Sequence, residues 1–167
     1  MTPPFQPREL LRVLTEHGVE FVVIGGFAAA AHGSPLLTRD VDVVPEGGVA
    51  NLTRLSDALR ALDARVRAEE LDAPLPFAHN AASLQRLTVL NLETRFGWFD
   101  LCLRPAGGLQ YAQWRARAQA LDIGDGLVVV VADLGDVIAS KEAAGRAKDR
   151  AALPILHELL RRQRGGS

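Results

Sequence analysis

The sequence predicts an α+β fold in which helices pack on a small mixed β-sheet. Three observations support this fold class. Short β-branched runs alternate along the chain with segments whose leucines recur at helical spacing. One apolar strand leads through a glycine pair directly into an alanine-rich helix. Two later extended segments are joined closely enough to form an antiparallel hairpin. Elements in this order favour a sheet with helices packed against it.

Length and composition favour one globular domain. The chain has 167 residues, of which 48% are hydrophobic and 23% charged, and it contains no internal repeat. We expect residues 1–167 to form this domain, with a core over about 19–104 and a C-terminal strand and helices over about 127–163. The formal net charge of −1 gives no overall attraction to nucleic acids, although basic residues concentrate near the C-terminus.

Cysteine content and the N-terminal residues indicate the compartment. Cys102 is the only cysteine, which excludes a disulfide framework or a multi-thiolate zinc site and favours a reducing environment. The first ten residues have neither a basic flank nor an apolar signal core, and no apolar run approaches the length that a bilayer requires. We therefore expect a cytoplasmic protein without a membrane segment.

Hydrophobic spacing and glycine or proline breaks define the elements of the N-terminal half. Leucines at helical spacing mark two amphipathic helices, and Gly18 ends the first of them. The apolar run EFVVI is a strand, and a second strand alternates acids with valines until Pro45 ends it. In order, we predict a helix over 7–17, a strand over 20–24, a helix over 27–31, a strand over 38–44 and a helix over 51–67.

The C-terminal half follows the same rules. Gly97 lies in the short link of the predicted hairpin, and Asp133 has the chemistry of a helix N-cap. Gly145 interrupts the helix that follows, and Pro154 is expected to kink or offset the last one. In order, we predict a loop over 71–82, extended segments over 87–93 and 98–103, a turn over 122–126, a strand over 127–132, and helices over 133–144 and 148–162.

Three acidic residues lie on predicted strands. Asp40 and Asp42 are two apart, so their carboxylates project from one face at about 6.5 to 7 Å and can reach one cation. Asp100 interrupts an apolar strand, where an unpaired acid would be costly to bury. Carboxylates suit hard ions such as Mg²⁺, and a third acid would complete a two-metal site. Ordinary ion pairs are the alternative. Their candidate partners are Arg39 or Arg54 for Asp40 and Asp42, and Arg95 or Arg104 for Asp100.

A glycine pair precedes these acids in the chain. Gly25 and Gly26 lie where a strand passes into a helix, so that the bare backbone can approach a phosphate. A glycine pair alone is more typical of a tight turn without a ligand. Its combination with the Asp-x-Asp strand is much more specific. Thr38 shares the face of Asp40 and Asp42 and is a secondary candidate.

The segment VVIGGFAAAAHGSPLLTRDVDVV, residues 22–44, resembles the signature of the nucleotidyltransferase superfamily typified by DNA polymerase beta, and particularly its minimal bacterial members. The resemblance implies a nucleotidyltransferase-like fold in which Gly25 and Gly26 contact a nucleoside triphosphate. It also implies that Asp40, Asp42 and Asp100 are catalytic and bind two magnesium or manganese ions. In that family an acceptor hydroxyl attacks the α-phosphate, pyrophosphate leaves, and the third acid orients or deprotonates the nucleophile.

The segment DLGDVIASKEAAGRAKDRAAL, residues 133–153, is similar to the tail of small bacterial nucleotidyltransferase-like proteins, including toxins of toxin–antitoxin pairs. Those toxins modify the acceptor end of transfer RNA. The resemblance implies that Lys141 and Arg146 reach triphosphate oxygens, Lys141 as a catalytic point charge and Arg146 as a fork. Asp149 is expected to pair with one of these cations or to position it. Exposed helix residues without a ligand are the alternative.

The resulting functional hypothesis is transfer of a nucleoside monophosphate from a nucleoside triphosphate to a hydroxyl acceptor. The first acceptor we expect is RNA, specifically the 3′ end of tRNA in a toxin-like role with a cognate antitoxin as partner. A protein side chain or a small molecule of the aminoglycoside type is the alternative acceptor. The third hypothesis is a protein of another class, a non-catalytic module that binds a nucleotide or a partner protein. An antitoxin, whose partner would be a cognate toxin, is an example.

Four further residues are expected to serve packing and not chemistry. His32 follows an apolar helix and is expected to cap it or to lie in the core. Trp98 and Trp114 lack the aromatic and basic neighbours of a base-stacking surface. Cys102 has no basic neighbour that would activate a thiolate.

Overall fold

A mixed sheet of seven strands forms the centre of the computed structural model, which describes residues 2–104 and 109–166. Within these residues the elements are α1 (Pro7–Glu16), β1 (Phe21–Ile24), α2 (Gly25–Ala31), β2 (Asp40–Pro45), α3 (Val49–Ala61), β3 (Arg65–Val66), α4 (Ala81–Gln85), β4 (Val89–Thr94), β5 (Gly97–Cys102), α5 (Tyr111–Arg117), β6 (Gln119–Asp122), β7 (Val128–Val131), α6 (Leu134–Ala144) and α7 (Ala147–Gly165).

The strands follow the order β3-β4-β5-β2-β1-β7-β6. β2 lies at the centre, antiparallel to β1 and parallel to β5, and β7 runs parallel to β1. The remaining neighbours are antiparallel. The pairing of β7 with β1 brings the C-terminal strand into the same sheet as the N-terminal core. This architecture confirms the predicted α+β fold with a mixed sheet.

Alternation along the β4–β5 hairpin separates a core face from an open face. Leu92, Phe99 and Leu101 are fully buried on one side. The residues between them, which include Asn91 and Asp100, lie on the other side and remain at least partly exposed. β1 has no such alternation because all four of its residues are buried. The open face of the hairpin therefore continues toward the start of β2, where the acidic residues lie.

Helices cover the sheet and complete the core. Leu10, Leu11 and Leu14 are fully buried on one face of α1, as their spacing predicts. α6 packs against α2 and α7. Asp133 caps α6 by accepting hydrogen bonds from the backbone amides of Gly135 and Asp136, which confirms the predicted N-cap. Among the described residues, no helix combines the length and apolar character needed to cross a bilayer.

The end of α3 and the start of α2 differ from those predicted. α3 ends at Ala61 and not near residue 67, because Asp63 adopts a left-handed backbone with φ of 50°. Arg65 and Val66 then form β3. The leucine spacing that predicted a longer helix continues through this turn without helical structure. α2 begins at Gly25 itself, so both glycines belong to the first turn of the helix.

Besides β3, three short elements were not predicted from the sequence. α4 starts within the segment predicted as a loop, where the side chains of Asn80 and Ser83 form a capping box. α5 and β6 lie between residues 111 and 122, where no element was expected. α7 is longer than predicted and continues through Pro154 as one helix, although an interior proline removes a backbone donor.

Candidate active site

Three carboxylates from two adjacent parallel strands converge at one point. Asp42 on β2 is paired directly with Asp100 on β5, and Asp40 lies two residues earlier on the same face as Asp42. One carboxylate oxygen from each residue lies within 4.8 Å of those of the other two, and all three residues are partly buried. An all-oxygen anionic donor set fits a hard divalent ion such as Mg²⁺ or Mn²⁺.

The crowding of these acids raises the pKa of two of them. Burial, followed by the negative charges of Asp40 and Asp100, raises the pKa of Asp42 from 3.8 to about 7. Burial and the charge of Asp40 raise the pKa of Asp100 to about 6, although the guanidinium of Arg67 opposes this rise. The charge of Asp40 therefore destabilises the charged forms of both Asp42 and Asp100, and a bound cation would relieve that repulsion.

Metal binding is expected to be much stronger at pH 8 than at pH 5. Because the pKa values of Asp42 and Asp100 are raised, both groups carry protons at pH 5 that an ion must displace. The need to displace these protons should by itself weaken the affinity for Mg²⁺ at pH 5 at least about 100-fold relative to pH 8. The measurement is the shift in melting temperature on adding Mg²⁺ at the two pH values. Equal shifts at both would contradict protonated acids in the metal-free cluster.

Gly25 leaves room for the carboxylate of Asp42. Its backbone has φ of +68°, and a Cβ atom at this position would lie 2.5 Å from Asp42 Oδ2. A Cβ atom at Gly26 would lie 3.1 Å from Thr38 Oγ1. The Thr38 hydroxyl donates a hydrogen bond to the backbone carbonyl of Asp40 at 3.1 Å, which ties the segment before β2 to the start of that strand. The glycine pair and the acids therefore form one tightly packed unit.

Gly25→Ala is expected to disturb this unit. A left-handed backbone costs a residue other than glycine about 1 to 2 kcal/mol, and the new methyl group must displace Asp42. We expect Mn²⁺ binding about tenfold weaker and a lower melting temperature. Gly47→Ala is the matched control, since a Cβ atom there meets nothing within 4 Å. Wild-type metal binding in Gly25→Ala would show that the close approach is unimportant.

A buried carboxylate holds two cations beside the acidic cluster. Asp149, near the start of α7, is fully buried. It accepts a hydrogen bond from Arg146 Nε at 2.7 Å and forms an ion pair with Lys141 Nζ at 3.6 Å. Burial opposes ionisation of Asp149, but the hydrogen bonds and charge of Arg146, together with Lys141, lower its pKa. The left-handed C-cap at Gly145 turns the chain so that α6 and α7 can bring these side chains together.

Lys148 and Arg67 contribute to the site although the sequence did not single them out. The charge of Lys148 lowers the pKa of both Asp42 and Asp100, so its ammonium group acts on the cluster. Arg67 forms an ion pair with Asp100 at 3.1 Å. The partners considered for Asp100 under the ion-pair alternative, Arg95 and Arg104, were therefore wrong. Arg67 follows β3, and its position could not be found while residues 51–67 were taken as one helix.

Other expected pairings are replaced by local contacts. Arg54 donates to the backbone carbonyl of Gly18 at 3.0 Å, so this contact replaces the one expected with Asp40 or Asp42. Arg95 lies over the ring of Phe96, 4.9 Å from its centroid. Arg104 donates to the carbonyl of Gln85 at 2.7 Å.

The four residues expected to serve packing divide into two groups. The imidazole of His32 contacts the carbonyl of Ala132 at 2.8 Å, at the C-terminal end of α2, and Trp114 is buried in the core. Burial and the nearby acids raise the pKa of the Cys102 thiol to about 12, which agrees with a thiol that is not activated. Trp98 differs from the packing role expected, because it lines the cleft.

The acids lie in a cleft of about 860 Å³ that has two chemically different sides. Gly25 and Gly26 border it, and Lys141, Arg146 and Lys148 make the side formed by α6 and α7 basic. The opposite side belongs to the β4–β5 hairpin. Apart from Asp100, its lining residues are uncharged: Val89, Asn91, Trp98 and Cys102. All residues predicted for the site except Asp149 line this cleft, and Asp149 lies directly behind Lys141 and Arg146.

No protein-family model matches the sequence, and the search of curated proteins gives no match. Solved structures do match. ANT(2'')-Ia, described as an antibiotic-resistance factor, aligns with a TM-score of 0.61 and 15% identity over 92% of this chain and 82% of that one. Its crystal structure in complex with adenylyl-2''-tobramycin aligns with a TM-score of 0.58 and 16% identity over 90% of this chain and 85% of that one.

The lincosamide antibiotic adenylyltransferase LnuA, in a lincomycin-bound structure, aligns with a TM-score of 0.61 and 10% identity over 94% of this chain and 99% of that one. These identities are too low to transfer an activity, but the alignments span nearly the whole chain. The resemblance of residues 22–44 and the three-dimensional similarity point to the same architecture. The chain has the nucleotidyltransferase fold.

Proposed function

We propose that this protein transfers a nucleoside monophosphate from a nucleoside triphosphate to a hydroxyl group of an acceptor. The observation that carries the proposal is the convergence of Asp40, Asp42 and Asp100, with oxygen atoms within 4.8 Å of one another, in one cleft with Gly25 and Lys141. A carboxyl whose pKa is raised by burial and by neighbouring acids, as that of Asp42 is, is retained at a cost to stability, and such groups cluster at functional sites. The nucleotidyltransferase fold supports the same assignment.

Asp40, Asp42 and Asp100 are the residues that would hold Mg²⁺ or Mn²⁺. When bound, such ions would lower the pKa of the attacking hydroxyl and neutralise negative charge developing on the phosphate. Asp100 is the acid on the uncharged side of the cleft and is proposed to orient the acceptor hydroxyl and accept its proton. The acceptor oxygen forms a bond to the α-phosphorus, the bond from that phosphorus to the bridging oxygen breaks, and pyrophosphate leaves.

The triphosphate is proposed to lie between the glycine pair and the basic side of the cleft. Gly25 and Gly26 have no side chains, so a phosphate can approach their backbone closely. Thr38 orients the start of β2 through its hydrogen bond to the carbonyl of Asp40. Lys141 and Arg146 supply positive charge for triphosphate oxygens. Asp149 positions these two cations from behind, because it is buried and contacts both. As nucleoside triphosphates are the proposed substrates, the cytoplasm remains the proposed location.

A small hydroxylated molecule is the acceptor that the cleft favours. The β4–β5 side has uncharged lining residues around Asp100, whereas a polyanionic acceptor needs a basic surface there. The alignment covers 99% of the LnuA chain, whose structure is lincomycin-bound. It covers 85% of the ANT(2'')-Ia chain in the complex with adenylyl-2''-tobramycin. Aminoglycoside-type or lincosamide-type compounds are therefore the first acceptors to test. A protein side chain, the other alternative acceptor considered from the sequence, is tested after them.

The tRNA acceptor expected from the sequence is the second candidate. Exposed basic side chains at the mouth of the cleft, such as Arg146 at 60% exposure, favour it, since they can contact a phosphate backbone. In that case a toxin-like role and a cognate antitoxin would follow. A non-catalytic module, such as an antitoxin, predicts triphosphate or partner binding without transfer.

The test incubates the purified protein with Mg²⁺ and each α-labelled nucleoside triphosphate, separately with hydroxylated small molecules, total RNA and protein acceptors. The proposal predicts a labelled product and released pyrophosphate, both absent with Asp40→Ala. Label on a small molecule supports the first acceptor, and label on RNA supports the second. Triphosphate binding without any product from all acceptor pools would instead favour the non-catalytic module.

A further inference from the structure

Arg67 joins the acidic cluster to the aromatic residue beside it. Its Nη2 atom donates a hydrogen bond to Asp100 Oδ1 at 3.1 Å, and its guanidinium carbon lies 4.3 Å from the ring centroid of Trp98. The Trp98 indole in turn donates from Nε1 to Glu93 Oε2 at 3.3 Å. Arg67 is only 28% exposed, so its guanidinium is confined between the carboxylate and the ring. The contact with Trp98 therefore fixes the arginine end of the Arg67–Asp100 pair.

The backbone places Arg67 beside β4, in the same sheet as the hairpin. Its amide donates to the carbonyl of Asn91 at 2.9 Å, opposite Asp100 in the β4–β5 register. The preceding residue, Val66, exchanges two backbone hydrogen bonds with Leu75 at 2.7 and 3.0 Å. Arg67 therefore starts from a hydrogen-bonded segment and not from a free loop. Its reach to Asp100 is built into the packing of β3 on β4.

Asp100 needs such a partner if it is to face the other acids. Its carboxylate oxygen lies within 4.8 Å of those of Asp40 and Asp42, where like charges repel. A carboxylate held by one oxygen can keep its orientation and still offer the other oxygen to an ion. Arginine suits this position better than lysine, because a planar guanidinium can hydrogen-bond to a carboxylate while it stacks on an indole.

We propose that Arg67 is a positioning residue for the third carboxylate. It holds Asp100 in the orientation that converges with Asp40 and Asp42, and Trp98 fixes the guanidinium that does so. The inference rests on the proposed function, since it takes the acidic cluster to bind a divalent ion. Groups that hydrogen-bond to metal ligands commonly change metal affinity when they are replaced.

The test is Mn²⁺ binding by the full chain, followed by the paramagnetic resonance signal of the free ion. Arg67→Met is expected to raise the dissociation constant about 10-fold to 100-fold. Arg67→Lys keeps the charge but not the stacking and should recover part of the affinity, which general damage to the fold would not allow. Arg65→Met is the matched control, because Arg65 lies on β3 two residues before Arg67 and pairs with the exposed Asp63.

The outcomes separate this inference from the proposed function. If wild type binds Mn²⁺ and Arg67→Met binds it equally well or more tightly, Arg67 does not position Asp100 for the ion and the inference is overturned. Tighter binding would mean that Arg67 competes with the ion for Asp100. If wild type itself binds no Mn²⁺, the proposed function fails first. If Arg67→Met does not fold, the test relies on Arg67→Lys. An Arg67→Lys variant with the affinity for Mn²⁺ and the melting temperature of wild type would also overturn the inference.

Discussion

Asp42→Asn is expected to lower nucleotidyl transfer at least about 10³-fold, while the metal-free protein becomes more stable at pH 8. Asparagine keeps the size of the side chain but removes the charge that would hold the ion. The same change removes a buried charge, and burial, followed by repulsion from Asp40 and Asp100, is what raises the pKa of Asp42 from 3.8 to about 7. Function and stability should therefore change in opposite directions, which is typical of a charge retained for catalysis.

The stability change has a definite dependence on pH. A carboxyl group whose pKa is higher in the folded than in the unfolded protein destabilises the fold as pH rises from the unfolded value through the folded one. The penalty of Asp42 is thus absent below about pH 4 and complete above about pH 7. We expect Asp42→Asn to gain about 2 to 4 kcal/mol at pH 8, or roughly 5 to 10 °C in melting temperature.

The measurement pairs a transfer assay with thermal melts at pH 8 and pH 4 in a chelator. Asp57→Asn is the control, since Asp57 is 59% exposed and pairs with Arg60 on the surface of α3. It should change neither readout appreciably. A variant Asp42→Asn that keeps more than about a tenth of the activity, or that loses stability at pH 8, would contradict the assigned role of Asp42.

Asp149→Ala is expected to cost about 3 to 5 kcal/mol of stability and to weaken triphosphate binding. Asp149 is fully buried, and its oxygens accept hydrogen bonds from the Arg146 backbone amide at 3.2 Å and from Nε at 2.7 Å. Without it, Lys141 at 19% exposure loses its counterion. Arg146 can turn into solvent, so we expect the lower end of that range. Both cations would lose the orientation that presents them to the cleft.

Asp149→Asn separates the two effects. The amide keeps the volume and some of the hydrogen bonds, so the stability loss should be smaller, while the KM for the triphosphate should still rise about tenfold. Glu142→Ala is the matched control, because Glu142 contacts His157 between the same two helices but is 51% exposed. If Asp149→Asn leaves KM unchanged, Asp149 stabilises the helix pair without positioning Lys141 and Arg146 for the substrate.

Features with a local origin could be predicted from the sequence. β2 follows from the alternation of valines and acids, and the cap of α6 follows from Asp133. The β4–β5 hairpin follows from two apolar runs around Gly97, whose φ of +119° suits a glycine. Each of these signals lies within a few neighbouring residues. They also sufficed to place Asp40 and Asp42 on one face.

The features that could not be predicted depend on contacts between distant residues. α3 has the spacing of a longer helix, and only the left-handed turn at Asp63 ends it. Arg67 then lies on the sheet and reaches Asp100, 33 residues away in the chain. The pairing of Asp42 with Asp100 likewise depends on the β2–β5 register. Spacing along the sequence does not show which distant residues lie close together in space. The partners considered for Asp100 were therefore its sequence neighbours.

The measurement that most directly tests the central claim is calorimetric binding of a non-hydrolysable nucleoside triphosphate, with and without Mg²⁺, to wild type and Asp42→Asn. It requires no knowledge of the acceptor. We predict that Mg²⁺ tightens binding to wild type at least about tenfold and has little effect on the variant. Absence of binding, or binding that is the same without Mg²⁺ and in Asp42→Asn, would contradict a metal-dependent nucleotidyl-transfer site built on these three carboxylates.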